Sequence, residues 1–378
     1  MLRAKVYISD EGYGPIVRQS AIISSLLKNL PDLEITLQTS NHFEAGCRII
    51  PEVHGIKRFN NVEWAKNPDG TPDIGELKRF LEGYVERARL FIEKELADFC
   101  YDFVISDLVY EAFEVAAQAG VPAFGVAHFT WDWFFEALEP CPVSGATLDF
   151  MRACAGKATR LFFPPFTPGD PGKVYDSNSL EVPLIVRKES SRLSVPKRDL
   201  YRVLIVDSGA SVLHAVFQET IKHLGQLSNF HFFVSSAFQA HSQNCTLIER
   251  DELFIDYIPQ MDLCISRAGF NTISECLYSR TPMLLAGEAV NPEMRVNIDN
   301  ISSRGLAGFV PTETLAHALP EFLPRFMHEE YPRIAQRLNA HMIPTNGAEV
   351  VAREIAALVD QGRRSRNSAS FRPCSSRQ

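Results

Sequence analysis

Long apolar runs are missing from this 378-residue sequence. None approaches the ~18 residues of a membrane-spanning helix, which excludes a helical membrane anchor. Metal-binding patterns are missing too. The ten histidines form no HxH or HExxH pair. The eight cysteines (Cys47, Cys100, Cys141, Cys154, Cys245, Cys264, Cys276, Cys374) form no CxxC pair. They read as reduced, mostly buried thiols of a cytoplasmic protein, not as a disulfide framework or a zinc site. No DxD motif follows a strand-like segment, so no metal-bound diphosphate is expected. Excess positive charge is absent as well, and a net charge of −8 gives no whole-surface attraction for nucleic acid. The opening MLRAKVYISDEG lacks the unbroken apolar stretch of a secretory leader and reads as a first strand.

What is present is an ordinary globular balance, 46% hydrophobic and 22% charged residues, on a chain longer than one core usually supports. Strand and helix patterns alternate throughout. In the first half, 5-KVYISD-10 and 33-LEITLQT-39 flank a helical pattern from Pro15 to Leu30. Further on, 101-YDFVISD-107, 111-EAFEVAAQA-119 and 121-VPAFGVAH-128 form a second strand–helix–strand unit. Such alternation predicts parallel sheets with helices on both faces. Between about Pro164 and Arg198 the chain turns rich in Pro, Gly, Ser and charge, which places a domain junction near residue 190. The second half repeats the grammar from 202-RVLIVDSGAS-211 onward. The expected architecture is α/β, with two doubly wound, Rossmann-like domains over residues 1–189 and 190–361. The basic, Ser-rich segment 362–378 reads as a disordered tail.

In open parallel sheets ligands bind beyond the carboxyl ends of the strands, so the residues just after each strand are the candidates. In 265-ISRAGFNTISE-275 a buried strand gives way to a small-residue turn at Ala268 and Gly269, then to a helix whose first amides point into the crevice. A helix start of this kind attracts phosphate. Arg267, Asn271 and Thr272 sit at that tip, and Glu275, about one turn further, can accept hydrogen bonds from ribose hydroxyls. Read as local structure alone, the same segment is a strand–turn–helix corner with a solvated glutamate.

The run ISRAGFNTISECLYSRTPMLLAG followed by 293-EMRVNIDNISSRGLA-307 resembles the donor-binding half of GT-B glycosyltransferases, especially glycosyltransferase family 28, which transfers N-acetylglucosamine in peptidoglycan assembly. The segments 7-YISDEGYGPIVR-18 and 126-VAHFTWDWFFEAL-138 resemble the glycosyltransferase-like domain of L-arabinokinases. The resemblance spans roughly residues 5–310 in patches. It implies two Rossmann-like domains facing a central cleft, no cofactor, a UDP- or dTDP-sugar as donor, and a small-molecule or lipid-linked acceptor.

Carried over by position, the resemblance implies that Ser208, Gly209 and Ser211 face the diphosphate, Ile255 and its neighbours bound the base, Glu275 holds the ribose, and Glu293 and Asn297 lie at the donor. Family 28 usually has glutamine at the position of Glu293; an ionised glutamate only accepts hydrogen bonds. Gly12, Gly14 and Arg18 form an active-site turn, with Arg18 in reach of a phosphate or an acceptor anion. At Pro15 the related families commonly carry a histidine that serves as general base, and proline cannot take a proton. Asp10 is then the first candidate base and Glu11 the second, followed by His128, Asp107 and Asp132. Trp131 and Trp133 are candidates for an acceptor platform, although aromatics are more often core. Three readings stay open: an inverting, metal-independent glycosyltransferase, a nucleotide-sugar hydrolase or epimerase, and a silent nucleotide-sugar binding protein.

Overall fold

The structure is a computed structural model that describes residues 1–9, 14–39, 50, 55–57, 73–175, 177–187, 200–206, 213–236, 238–249, 254–287 and 291–370, of which 55–57 and 365–370 by their backbone alone. Two parallel sheets form its two lobes. The first contains β1 (Leu2–Ile8), β2 (Leu33–Gln38), β3 (Gly55–Lys57), β4 (Phe103–Asp107), β5 (Ala123–Val126), β6 (Arg160–Phe163) and β7 (Ser179–Glu181) in the order β3-β2-β1-β4-β5-β6-β7. The second contains β8 (Tyr201–Val206), β9 (Phe230–Ser235), β10 (Cys245–Ile248), β11 (Leu263–Arg267), β12 (Met283–Ala286) and β13 (Gly308–Phe309) in the order β10-β9-β8-β11-β12-β13. Strand order reverses between β1 and β4 in one lobe and between β8 and β11 in the other. These are the two places where the crossover helices diverge and leave a crevice.

Along β4 and β5 both faces of the first sheet are buried, which is why these strands read as nearly continuous apolar runs. Along β1, Ala4, Val6 and Ile8 enter one core with Ile16, Ile22 and Leu26 of the helix Gly14–Asn29, while Tyr7 enters the opposite core. Lys5 lies on the Tyr7 side and is also buried. It pairs with Glu95, which also accepts from the Tyr7 hydroxyl at 2.8 Å and from Gln38 Nε2 at 3.2 Å. The charge on Lys5 is therefore neutralised in place.

The chain crosses between lobes in the stretch Val182–Val186. Val182 and Ile185 pack into the first lobe, whereas Leu184 and Val186 pack into the second. It crosses back before the closing helix, where Leu184 accepts from Gly347 N at 3.0 Å and donates through its own amide to Pro344 O at 3.0 Å. The helix Gly347–Ser370 then lays Ala348, Val351, Ala352, Ile355 and Val359 into the first lobe's core. Packing thus differs in one element from the division at 1–189 and 190–361: the last helix of the second sequence half completes the first lobe. It also runs into 362–378 as far as Ser370, beyond the expected start of the tail. The physical reason is its apolar stripe, which matches the face of Gly14–Asn29 left bare by the first half alone.

Candidate functional site

On the first lobe the site is built from the ends of β1, β4 and β5. β4 ends in Asp107, which is fully buried. Arg18, one turn into the helix Gly14–Asn29, clamps it with Nε to Oδ2 at 2.9 Å and Nη2 to Oδ1 at 2.6 Å, and Gln19 Nε2 adds a third donor at 3.0 Å. The Arg18 and Asp107 side chains are 1% and 0% exposed. Arg18 is therefore turned inward and does not present a cation to the cleft. Its remaining Nη1 lies 2.9 Å from Nδ1 of His128, the residue that follows β5 by two positions.

His128 reaches across to the second lobe. Its Nε2 lies 2.7 Å from Oε1 of Glu293, in the first turn of the helix Pro292–Ser302. The ring packs edge-on against Phe129 and stacks on Phe270, with centroids 4.8 Å apart in both cases. Burial pushes the His128 pKa below its ordinary value, and the adjacent Arg18 adds to this against the opposing pull of Glu293 and Asp107. Burial alone would raise the Glu293 carboxyl, but His128, Arg267 and Arg18 together hold it below the usual carboxylate range.

The second lobe supplies a turn from β11 into the helix Phe270–Ser279. Ala268 N donates to Ala286 O at 2.9 Å, and the buried amide of Asn297 donates to Ala268 O at 2.9 Å, so the turn is pinned from both sides. Gly269 caps the helix in an extended conformation and no side chain caps it. The amides of the first turn thus stay available to an anion, with the helix dipole behind them. Asn271 is drawn away from this role: its Nδ2 donates to Gly14 O at 2.8 Å, across the cleft. Thr272 is half-buried next to it.

Glu275 is 6% exposed and faces Arg187, whose Nη2 lies 3.4 Å from Oε1. Burial pushes its carboxyl up to about 7, opposed by Arg187 and reinforced by Asp256. Arg187 ends the crossing stretch between the lobes. In the sequence it lies within the Pro-, Gly-, Ser- and charge-rich junction and belongs to no motif; the signal for it is the apolar run Leu184–Val186 immediately before it.

The other candidates divide into four groups. Asp10, Glu11, Gly12, Ser208, Gly209 and Ser211 lie outside the described residues. Asp132 and Trp131 serve the core. Asp132 accepts from the hydroxyls of Tyr110 at 2.9 Å and Tyr175 at 3.0 Å and from Arg152 Nε at 3.1 Å, and Trp131 stacks on Phe135 at 5.5 Å inside the lobe. Neither is open to an acceptor. Ile255 is fully buried in the short helix Phe254–Tyr257, so a base held there would meet backbone and flanking groups. Asn297 braces the turn at Ala268, and Gly14 offers its carbonyl to the opposite lobe.

Residues 200–355 match the family model of the glycosyltransferase family 28 C-terminal domain. An uncharacterised glycosyltransferase of Methanopyrus kandleri is 23% identical over 279 residues, which cover 68% of this chain and 76% of that protein. Among solved structures, the glycotransferase of kitacinnamycin superposes with a TM-score of 0.65 at 14% identity, covering 96% of this chain and 99% of that one. Phytolacca americana UGT2, complexed with UDP-2-fluoro-glucose and pterostilbene, superposes with a TM-score of 0.63 at 14% identity, covering 96% and 100%. The fold is GT-B.

Proposed function

We propose that this protein is a glycosyltransferase that moves a sugar from a nucleoside-diphosphate sugar to an acceptor hydroxyl or amine, with inversion and without a metal. The observation that carries this reading is the uncapped start of the helix Phe270–Ser279 at the second lobe's switch point, opposite the first lobe, inside the segment that matches the family 28 domain. Its amides are suited to the diphosphate. Glu275 is suited to the ribose, and Glu293 to a hydroxyl of the donor sugar.

In the proposed reaction the acceptor oxygen attacks the anomeric carbon as the bond from that carbon to the phosphate oxygen breaks. The nucleoside diphosphate leaves with the electron pair, its charge met by the helix amides and Arg267. The acceptor proton needs a base. Asp107 is saturated by Arg18 and Gln19, Asp132 by two tyrosines and Arg152, and Nδ1 of His128 by Arg18. This favours the loop after β1, with Asp10 first and Glu11 second.

The test is a panel of UDP-, dTDP- and GDP-sugars, followed by release of nucleoside diphosphate with and without a cell extract that supplies acceptors. Release that depends on the extract is expected. Equal release without extract would establish a hydrolase instead, and tight binding without any release a silent binding protein. In the same assay Asp10→Asn is expected to keep donor binding and lose ~10²- to 10⁴-fold in turnover, the usual contribution of a general base.

A further inference from the structure

We infer that His128 is a positioning residue that works across the cleft: Arg18 and Asp107 hold its imidazole in one tautomer, so that Nε2–H grips Glu293 and aims that carboxylate at the donor sugar. The inference rests on the transferase reading above for the identity of the ligand, and on geometry alone for the tautomer.

A guanidinium has five N–H donors and no acceptor. The 2.9 Å contact from Arg18 Nη1 therefore requires a lone pair on Nδ1, which excludes both the Nδ1–H tautomer and the imidazolium. The proton of the neutral ring is then on Nε2, 2.7 Å from an anionic Glu293 oxygen. Arg18 cannot swing away to release the ring, because its other two nitrogens are held by Asp107 in the interior. The ring plane is set as well, by the edge of Phe129 on its own lobe and the face of Phe270 on the other. Phe270 is the first residue of the helix assigned to the diphosphate.

The consequence falls on Glu293. Its Oε1 takes Nε2–H of His128 and, more weakly, Nδ2 of Asn297 at 3.4 Å, whereas Oε2 takes no hydrogen bond from any described residue. One oxygen is thus anchored and the other offered. Glu293 selects a sugar that donates a hydrogen bond at that point, and His128 determines where the point is. A general-base role for His128 is incompatible with this arrangement, since neither ring nitrogen has a lone pair for the acceptor. The charged groups around the ring are Arg18 and Asp107 from the first lobe and Glu293 and Arg267 from the second. Burial shifts the imidazole toward its neutral form, in the same sense as the Arg18 contact.

Three measurements on the full chain test this. Nitrogen-15 spectra of the ligand-free protein, with the His128 ring assigned by its loss in His128→Gln, are expected to show an unprotonated Nδ1 and a protonated Nε2 unchanged from pH 7.5 to 6. An Nδ1–H tautomer or an imidazolium in that range overturns the inference whether or not the protein is a transferase. Calorimetric titration then compares UDP with a UDP-sugar that the protein binds. His128→Gln and Glu293→Gln are each expected to weaken the nucleotide sugar by about tenfold and leave UDP unchanged, as for loss of one charge-assisted hydrogen bond. Glu293→Gln keeps the shape of the buried site, so the comparison survives if His128→Gln folds poorly. Equal weakening of UDP, or no weakening of the nucleotide sugar, overturns the aiming role. Where turnover is measurable, His128→Gln is expected to raise the donor KM with kcat kept within a few-fold; a loss of kcat of a hundredfold or more at unchanged KM would make His128 the base.

Discussion

At position 275 a carboxylate is buried beside Asp256 and opposed by one arginine at 3.4 Å, so its proton is held up to about pH 7. A folded-state pKa above the unfolded one means that the stability from this group is complete below about pH 4.3, and is lost as pH rises through 7. Glu275→Gln is therefore expected to remove a decline on the order of 2–3 kcal/mol between pH 5 and 8, read as the difference in melting temperature across that range. The same change is expected to weaken nucleotide-sugar binding by roughly a hundredfold, because the ribose loses charge-assisted hydrogen bonds. Unchanged binding with an altered pH profile would remove Glu275 from the ribose. His128 and Glu293 act with the opposite sign. Both have lowered folded-state pKa values, so their stability is present above the unfolded values of about 6.5 and 4.3 and is lost as pH falls. Acid below pH 6 is expected to destabilise the wild type more steeply than His128→Gln, a comparison that melting curves at pH 7 and 5 make directly.

At the scale of elements, the closing helix and the β11 turn show how a few contacts place large pieces. A Cβ on Gly347 would stand 2.0 Å from Pro183 O and 2.8 Å from Leu184 O, both backbone atoms of the crossing stretch. Neither atom can yield without moving the main chain there. Gly347→Ala is expected to cost at least the ~1–3 kcal/mol of an overpacked core and to lower the melting temperature by several degrees. Gly362, in the same helix, has nothing within 4 Å of the added atom, and Gly362→Ala is expected to be neutral or to stabilise by up to about 1 kcal/mol. If the two variants melted alike, the close approach at 347 would be refuted. Asn297, between two elements, was legible in the sequence as a donor-site residue by resemblance. That it works through the carbonyl of Ala268, bracing the turn into the helix Phe270–Ser279, depends on a contact between a helix and a turn 29 residues away that local pattern does not encode.

For the molecule as a whole, the lobes are joined by more than a linker. Asn271 reaches Gly14 O at 2.8 Å, Asn300 Nδ2 reaches Phe166 O at 3.3 Å, Arg304 lies 5.1 Å from the centre of the Phe166 ring, and His128 meets Glu293. The closing helix returns to the first lobe through the second crossing. A single calorimetric transition is expected, with calorimetric and van't Hoff enthalpies in agreement, in place of the two steps of loosely tethered domains. Truncation after Asn346 is expected to lower that transition, because it uncovers Ile16, Ile22, Ile23 and Leu26 in the first lobe's core. A transition unmoved by truncation would show that the helix contributes nothing to that core.

The sequence by itself determined the two parallel sheets, the strand ends that carry the candidate site, and the turn from β11 into a helix. Each of these follows from periodicity and turn chemistry within some twenty residues, and hydrophobic burial enforces them wherever the segment is placed. Only the tertiary structure decided what the charged residues at those strand ends do. Arg18 reads as a cation in reach of a phosphate or an acceptor anion and is consumed by Asp107, 89 positions away; His128 reads equally as a candidate base behind Asp10 and Glu11 or as a structural histidine, and it is committed on both nitrogens, to Arg18 at a separation of 110 and to Glu293 at 165. The same holds for the closing helix, whose stripe shows that it must be buried but not against which lobe. A charge or an apolar face specifies the kind of partner it needs, and at such separations the folded topology alone brings one particular partner within hydrogen-bonding or packing distance.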